Sequence, residues 1–179
     1  MRFASMRNLD ISNGEGVGVS LFVQGCDRHC FNCFNPDTWD FNGGKEWTEE
    51  TKNKFIKLID RPYINRISVL GGEPLAEQNL DEVLSLIKEI RISFPEKTIW
   101  LYTGYKFEDL INGIHYPLDS EWEDKVLRQS IVKLCDVLVD GEYIDEQRDI
   151  TLKWRGSSNQ RVIDAKQSLA QNKIVLYCN

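Results

Sequence analysis

Three of the five cysteines in this chain lie within one short segment, at Cys26, Cys30 and Cys33. The resulting pattern, C-x3-C-x2-C, lets three thiolates from a single loop surround one inorganic centre. A 4Fe–4S cluster normally has four cysteine ligands, and no fourth cysteine lies nearby in the sequence. The segment therefore predicts a 4Fe–4S cluster with three protein ligands and one iron open to a substrate.

A zinc site is the alternative interpretation of this segment, with His29 as the fourth ligand. Structural zinc sites generally use two separated pairs of ligands, whereas this one would take all four ligands from a single short loop. We therefore favour the cluster. The other two cysteines, Cys135 and Cys178, each lie inside an apolar run, and we expect them to be buried apolar residues rather than ligands.

The cysteine segment directly follows the first of four predicted β-strands, which alternate with helices. The strands are short runs rich in β-branched and aromatic residues, at 19–23, 67–70, 98–102 and 137–139. Apolar residues at helical spacing follow Thr48, Asn79 and Ser120, which predicts three helices. Acidic residues directly after Thr48 favour the start of the first helix. The pairs Asn79 with Glu82 and Ser120 with Glu123 resemble capping boxes and favour the starts of the other two. A short helix after Asp164 and a final strand near 174–177 complete the assignment.

This alternation of strands and helices predicts how the sheet is built. Strands separated by helices of about 10–15 residues indicate parallel pairing through right-handed crossovers. Such sheets bind ligands at the carboxyl ends of their strands. The cysteine segment and the residues at 71–74, 103–105 and 140–142 all fall at that edge. We therefore expect an α/β fold in which these loops form one site.

The composition is typical of one globular domain, and we treat residues 1–179 as a single domain. Hydrophobic residues make up 41% and charged residues 28%, and no apolar stretch reaches the length of about 18 residues that spans a membrane. A formal charge of −6 argues against a nucleic-acid partner. The N-terminal residues lack the apolar core of a secretion signal, so we expect a cytoplasmic protein without disulfides.

Two motifs resemble the leading motifs of the radical S-adenosylmethionine superfamily: the cysteine pattern after the first strand, and Gly71, Gly72, Glu73 and Pro74 after the second. Further segments are similar to a family within it, the activating proteins of anaerobic ribonucleoside-triphosphate reductase. These segments lie at 19–26, 33–39, 103–105, 136–141 and 154–161. The resemblance implies a partial (β/α) barrel with mostly parallel strands, and with the cluster and cofactor at the carboxyl edge of the sheet.

The resemblance also implies an activity. Members bind S-adenosylmethionine at the open iron, and one electron from the reduced cluster cleaves it to methionine and a 5′-deoxyadenosyl radical, which takes hydrogen from a glycine of the reductase. The implied electron donor is a reduced flavodoxin-like or ferredoxin-like protein. The alternatives are an activator of another glycyl-radical enzyme, such as pyruvate formate-lyase, and a non-catalytic metal-stabilised binding module.

The resemblance predicts cofactor contacts in the loop after the second strand. Gly71 and Gly72 leave room for a ligand against the backbone, and Glu73 receives the methionyl amine, with Pro74 completing the motif. A plain turn between a strand and a helix is the alternative for these residues taken alone.

Three residues at the ends of the later strands, Thr103, Gly104 and Asp140, are also predicted to contact the cofactor. For Thr103 and Gly104 the alternative is a helix cap, and for Asp140 it is a turn.

Two positions depart from the pattern of glycyl-radical activating enzymes. The glycine-rich segment at 13–16 lacks the arginine that often follows it, and Asn32 stands where many superfamily members carry an aromatic residue against adenine. Phe31 and Phe34 are the candidates to compensate for Asn32.

The chain is short, so little of it remains to cover a cofactor. Only residues 113–119 and the region after Glu142 are left over once the strands, helices and cysteine loop are counted. We therefore expect an open face that a protein substrate completes. Trp154, Arg155, Asn159 and Arg161 are the candidate contacts, with a solvated polar loop as the alternative.

Overall fold

A computed structural model describes residues 1–112 and 122–178 of the chain. The strands are β1 (Arg2–Asp10), β2 (Gly18–Val23), β3 (Lys45–Glu46), β4 (Arg66–Gly71), β5 (Thr98–Tyr102), β6 (Val137–Asp140), β7 (Arg161–Asp164) and β8 (Leu176–Cys178). The helices are α1 (Glu49–Ile59), α2 (Leu80–Ser93), α3 (Phe107–Asn112), α4 (Trp122–Leu134) and α5 (Ala165–Gln171). None of the helices in the described ranges is both long and apolar enough to cross a membrane.

Within the described residues the strands form one sheet in the order β3-β1-β2-β4-β5-β6-β7-β8. The four central strands, β2, β4, β5 and β6, are parallel to one another, as predicted. Each of the parallel pairs is joined by a helical connection, α1, α2 or the segment that includes α3 and α4. These crossovers place the carboxyl ends of the four strands at one edge, where the cysteine segment begins.

The prediction of a sheet with mostly parallel strands is wrong, because the pairs that β1 makes with β2 and β3, and the pairs β6–β7 and β7–β8, are antiparallel. Seven residues join β1 to β2, and only a short 3-10 helix at Asp145–Gln147 lies between β6 and β7. Neither connection holds the helix that a parallel crossover normally requires. A barrel is not confirmed either, since β3 and β8 each pair on one side only and the sheet is open.

The two faces of the sheet have different partners because successive side chains of a strand point to opposite faces. On one face, Leu21, Val69 and Leu101 belong to the main hydrophobic core, together with residues of α1, α2 and α4 such as Phe55 and Ile87. The opposite face, which we call the inner face, carries a smaller cluster of Trp100, Val137, Val139 and Val162, against which Tyr102 and Trp154 pack. Among the described residues, none of those in this smaller cluster belongs to a helix.

The helix starts test the capping predictions. Thr48 accepts a hydrogen bond from the Thr51 N–H at 3.2 Å, which confirms the start of α1. The capping role of Asn79 is wrong: its side chain is buried and donates to the carbonyls of Gln24 and Glu73, both at 3.0 Å. Asn79 thereby ties the loop before α2 to the start of the cysteine segment. Ser120 and the segment 113–119 lie outside the described residues.

Candidate metal centre and cofactor site

The carboxyl edge of the parallel strands holds a cavity of about 140 Å³, which we call the thiol cavity. Cys26, Cys30 and Cys33 line it from one side, and residues of the loops after β4 and β5 line it from the other. The predicted residues among these are Gly71, Gly72, Glu73, Thr103 and Gly104. Residues far apart in the sequence therefore meet at the carboxyl edge of the parallel strands, as the alternation of strands and helices predicted.

The backbone of the cysteine segment is fixed at its start. The N–H of Gly25 donates to the Thr38 carbonyl at 2.8 Å, and the N–H of Cys26 donates to the Trp39 carbonyl at 3.0 Å. Farther along, His29 and Asn32 adopt the left-handed conformation with φ of 46° and 53°. Asparagine adopts this conformation more readily than most residues, which explains why an asparagine occupies position 32.

The three thiols are not engaged in disulfides and are partly buried. Burial raises the pKa of Cys26 to about 11 and is also the main cause of the raised pKa of Cys30. Thiols must lose their protons to bind metal, so binding of iron would be accompanied by proton release.

The geometry bears on which inorganic centre these thiols fit. Among residues 1–112 and 122–178, no three His, Cys, Asp or Glu side chains are placed to hold one metal ion. His29 instead stacks on Trp39, with ring centroids 4.7 Å apart. A cluster binds each thiolate at a different iron, so its ligands need only surround one cavity, as these three thiols do. The donor set is compatible with a cluster.

Gly71 and Gly72 are required by the packing of the protein itself. Gly71 has φ of 110°, and a Cβ there would lie 2.8 Å from the Cα of Phe22. A Cβ on Gly72 would collide with the carbonyl oxygen of Gly25, which also accepts a hydrogen bond from the Glu73 N–H at 2.7 Å. The two glycines thus allow the backbone of this loop to lie directly against the strand that leads into the cysteines.

Glu73 is buried, with 1% of its surface exposed, and its carboxylate is held by the protein. One oxygen accepts hydrogen bonds from the Leu75 N–H at 2.9 Å and the Thr103 hydroxyl at 2.8 Å, and the other accepts one from the Gly104 N–H at 2.8 Å. Burial raises its pKa despite these bonds. The carboxylate connects the loops after β4 and β5, and a ligand amine would have to share it with these donors.

Arg28 is a site residue that the sequence reasoning missed. Its Nε lies 3.4 Å from the Glu73 carboxylate, and its guanidinium also pairs with Glu142 and stacks on the ring of Tyr105 at 4.1 Å. Its side chain packs so tightly on Gly104 that a Cβ there would overlap it. The sequence shows Arg28 only as a cation between the first two cysteines. Its partners Glu73, Tyr105 and Glu142 lie far away in the chain and are brought to it by the fold.

The structure does not bring Pro74 or Asp140 to the thiol cavity. Pro74 is buried, and Asp140 accepts hydrogen bonds from the Phe107 N–H at 2.8 Å and from Arg161 Nε at 2.9 Å. Arg161 also pairs with both carboxylate oxygens of Glu108. Asp140 therefore joins β6, β7 and the start of α3, on the wall of a neighbouring cavity.

A larger cavity of about 500 Å³ lies on the inner face of the sheet, and we call it the inner-face cavity. Arg7 on β1 lines it from one flank, while Leu152, Trp154 and Arg155 line it from the segment before β7. The open sheet therefore curves around this space. It shares part of its lining with the thiol cavity: Cys33, Asn35, Leu70, Tyr102, Val139, Tyr143 and Gln160.

The remaining predicted residues are distributed around these cavities. Arg155 lines the inner-face cavity, whereas Asn159 and Arg161 line the cavity that holds Asp140. Phe34 lines the inner-face cavity and packs on Tyr143 at 4.9 Å, while Phe31 is exposed. Among the isolated cysteines, Cys135 is fully buried, as predicted, and Cys178 is only partly buried.

Comparison with known proteins connects this geometry to a family. A model of the 4Fe-4S single cluster domain matches residues 12–163. The chain is 38% identical over 164 residues to a protein of Salmonella typhimurium. The aligned region covers 90% of this chain and 97% of that protein. A protein of Escherichia coli K12 is 37% identical with the same coverage. One of Enterobacteria phage T4 is 35% identical over 90% of this chain and 93% of its own.

All three relatives are named anaerobic ribonucleoside-triphosphate reductase-activating protein. Each of these comparisons covers 90% of this chain. The chain belongs to the family of anaerobic ribonucleoside-triphosphate reductase-activating proteins, and it contains a 4Fe–4S single cluster domain.

Proposed function

We propose that this chain activates an anaerobic ribonucleoside-triphosphate reductase through S-adenosylmethionine and a 4Fe–4S cluster held by Cys26, Cys30 and Cys33. The observation that carries the proposal is the thiol cavity, in which three cysteines from one loop face the residues of the second motif. The reductase is proposed as the target because the relatives are named as its activating proteins. S-adenosylmethionine is proposed as the cofactor because the cysteine and glycine motifs resemble those of the radical S-adenosylmethionine superfamily.

The bound cluster and S-adenosylmethionine together supply one-electron cleavage of the sulfonium, which yields methionine and a 5′-deoxyadenosyl radical that takes hydrogen from a reductase glycine. The protein contributes position and exclusion of water. Three thiolates account for three irons and leave the fourth open, because the remaining cysteines, Cys135 and Cys178, do not line the thiol cavity.

The side chains around the thiols prepare the place for the amino-acid end of the cofactor. Thr103 and Gly104 hold the Glu73 carboxylate in one orientation, and Arg28 balances its charge. An incoming ammonium group finds the carboxylate already oriented, so the Glu73 side chain itself need not move when the group binds. In this proposal Glu73 exchanges part of its interaction with Arg28 for the methionyl amine.

The electron comes from outside the chain in this proposal. No second group of cysteines that could hold another cluster is present in the sequence. A reduced flavodoxin-like or ferredoxin-like protein is therefore the proposed donor.

The test is anaerobic reconstitution with iron and sulfide, followed by dithionite reduction and an assay for 5′-deoxyadenosine with and without the reductase. We expect bound iron and labile sulfide in equal amounts, and 5′-deoxyadenosine that depends on the cluster. A protein that binds iron and sulfide but never cleaves S-adenosylmethionine would instead be a metal-stabilised binding module. A parallel assay with pyruvate formate-lyase in place of the reductase tests whether the chain activates another glycyl-radical enzyme instead, since only the true target acquires a glycyl radical.

A further inference from the structure

The cysteine loop is bound from across the chain by the segment that follows β6. We call this segment, residues 142–145, the clamp. Arg28 pairs with the Glu142 carboxylate. The side-chain amide of Asn32 donates to an Asp145 carboxylate oxygen at 2.9 Å. Because Arg28 and Asn32 lie in the two intervals between the cysteines, the clamp holds both parts of the loop.

Asp145 uses both of its carboxylate oxygens in this contact. One accepts from Asn32, and the other accepts from the hydroxyl of Tyr143 at 2.6 Å. The ring of Tyr143 in turn packs on Phe34, with ring centroids 4.9 Å apart. Asp145 therefore acts, directly and through Tyr143, on the residues immediately before and after Cys33.

The backbone at Cys33 forms a tight turn that depends on Asn32. Asn32 has φ of 53°, and the Cys33 N–H donates to the Cys30 carbonyl at 3.1 Å. The Cys33 sulfur accepts a hydrogen bond from the Asn35 N–H at 3.4 Å. A left-handed residue persists where its surroundings hold it, and here the bond to Asp145 fixes the Asn32 side chain. The position of the third thiol is thus connected to the clamp.

The clamp is itself held by the polar loop at 157–160. The hydroxyl of the fully buried Ser157 accepts from the Ile144 N–H at 3.2 Å. The side-chain amide of Asn159 donates to the Glu142 carbonyl at 2.8 Å. Because these bonds fix the backbone of the clamp, its side chains meet the cysteine loop with little loss of conformational entropy. The polar loop therefore has a structural role apart from contact with a partner.

We propose that the clamp positions the cysteine loop for its 4Fe–4S cluster, with Asp145 as the positioning residue that fixes the turn at Cys33 through Asn32. This assignment rests on the proposed function, in which Cys33 binds one iron. Groups that hold a metal ligand in place orient that ligand and tune the metal centre. A cluster with three protein ligands has none to spare, so a loop that is held in place slows the loss of iron.

The experiment compares the rates at which anaerobically reconstituted variants lose iron to an excess of a ferrous chelator. Asp145→Ala removes the acceptor, and Asn32→Gly removes the amide while glycine retains the left-handed backbone. We expect each variant to lose iron roughly 10- to 100-fold faster than wild type, the range in which loss of such partners lowers metal affinity. Glu146→Ala is the matched control, because it removes the same charge from the next residue, at an exposed position.

Two further measurements separate positioning of the cluster from general stabilisation of the protein. The double variant Asn32→Gly with Asp145→Ala should lose iron no faster than the faster single variant, because both changes remove the same bond. Asn32→Gly changes no charge, and it should shift the midpoint potential of the cluster to more negative values. The reason is that a looser turn weakens the hydrogen bond from the Asn35 N–H to the Cys33 sulfur, and such bonds help to set cluster potentials.

The assignment is overturned if either single variant releases iron at the rate of the Glu146→Ala control, or if the two effects add in the double variant. An unchanged midpoint potential in Asn32→Gly would also contradict it. None of these measurements uses S-adenosylmethionine or the reductase. A wild-type protein that keeps its cluster but makes no 5′-deoxyadenosine would therefore refute the proposed chemistry, while iron loss would still decide the role of the clamp. A wild-type protein that takes up no iron and sulfide would refute both.

Discussion

The guanidinium of Arg66 fills the space beside Gly18, its partner in the parallel pairing of β2 and β4. A Cβ on Gly18 would lie 2.8 Å from the Cζ of Arg66. Arg66 is fully buried, donates to the Asp10 carbonyl at 2.6 Å, and also bonds to the Asn13 carbonyl. The resemblance predicts an arginine just after the glycine-rich segment at 13–16, which this sequence lacks, and here the guanidinium of Arg66 reaches the segment from β4.

We predict that Arg66→Met destabilises the apo-protein by about 3–5 kcal/mol, because it removes the buried cation from the Asp10 carboxylate and leaves it only the half-exposed Arg7 at 3.5 Å. Urea unfolding followed by circular dichroism measures the loss. The double variant Arg66→Met with Asp10→Asn should be more stable than the sum of the two single changes predicts, since neither buried charge of the pair remains. Additive effects would show that the pair is not coupled.

Asp10 also predicts an acid-dependent loss of stability. Burial raises the pKa of this carboxyl, but hydrogen bonds from Asn13, Ser12 and Ser20 outweigh it and lower the pKa from 3.8 to about 2. The stabilisation is present above about pH 4 and is lost as the pH falls towards 2, with a size of about 2 kcal/mol. Asp10→Asn should flatten the stability curve in this window, whereas an unchanged slope would assign the acid sensitivity to other carboxyls.

The sequence predicted the central part of the fold because its signals are local. The four parallel strands are short runs of mostly apolar residues, and Thr48 and Asp164 cap helices with their own side chains. β1 was missed because register shifts after Phe3 and Arg7 break the alternation that marks a strand. β7 was missed because its four residues directly follow a polar loop.

The same distinction applies to the site. Cysteine spacing and the glycine pair are local features, and the fold brings them to one cavity as expected. The interactions of Arg28 with Glu73 and of Asn79 with Gln24 join residues far apart in the chain, so no local pattern reveals them. For Asp140 the position at a strand end was correct, but the pairing with Arg161 depends on the antiparallel return of β7.

Replacing any one of Cys26, Cys30 or Cys33 with Ala should abolish the absorbance of the reconstituted cluster, since no spare thiol lines the thiol cavity. Cys178→Ser and Cys135→Ser should retain it. The serine at 135 can keep the bond that the thiol donates to the Ile131 carbonyl. Loss of the cluster in either outer variant, with the fold intact, would contradict the three-cysteine assignment.

Glu73→Gln should retain the cluster but weaken S-adenosylmethionine binding roughly 10- to 150-fold, the effect of losing a charge-assisted hydrogen bond. We choose glutamine because alanine would leave the donors of Leu75, Thr103 and Gly104 without an acceptor. Glu77→Gln, at an exposed position in the same loop, is the control. Unchanged affinity in calorimetric titration would remove Glu73 from the binding site.

The last prediction concerns transfer of the radical to the reductase. Arg155 lines the inner-face cavity and not the thiol cavity, so Arg155→Ala should leave the cluster in place and reduce the glycyl radical formed on the reductase. Lys153→Ala removes the same charge two residues away, at an exposed position, and should behave as wild type. The measurement is low-temperature electron paramagnetic resonance after mixing reduced activator, S-adenosylmethionine and reductase. A doublet of full intensity with Arg155→Ala would show that Arg155 has no part in radical transfer to the reductase. Absence of the doublet in a wild-type mixture that still yields 5′-deoxyadenosine would refute the reductase as the partner.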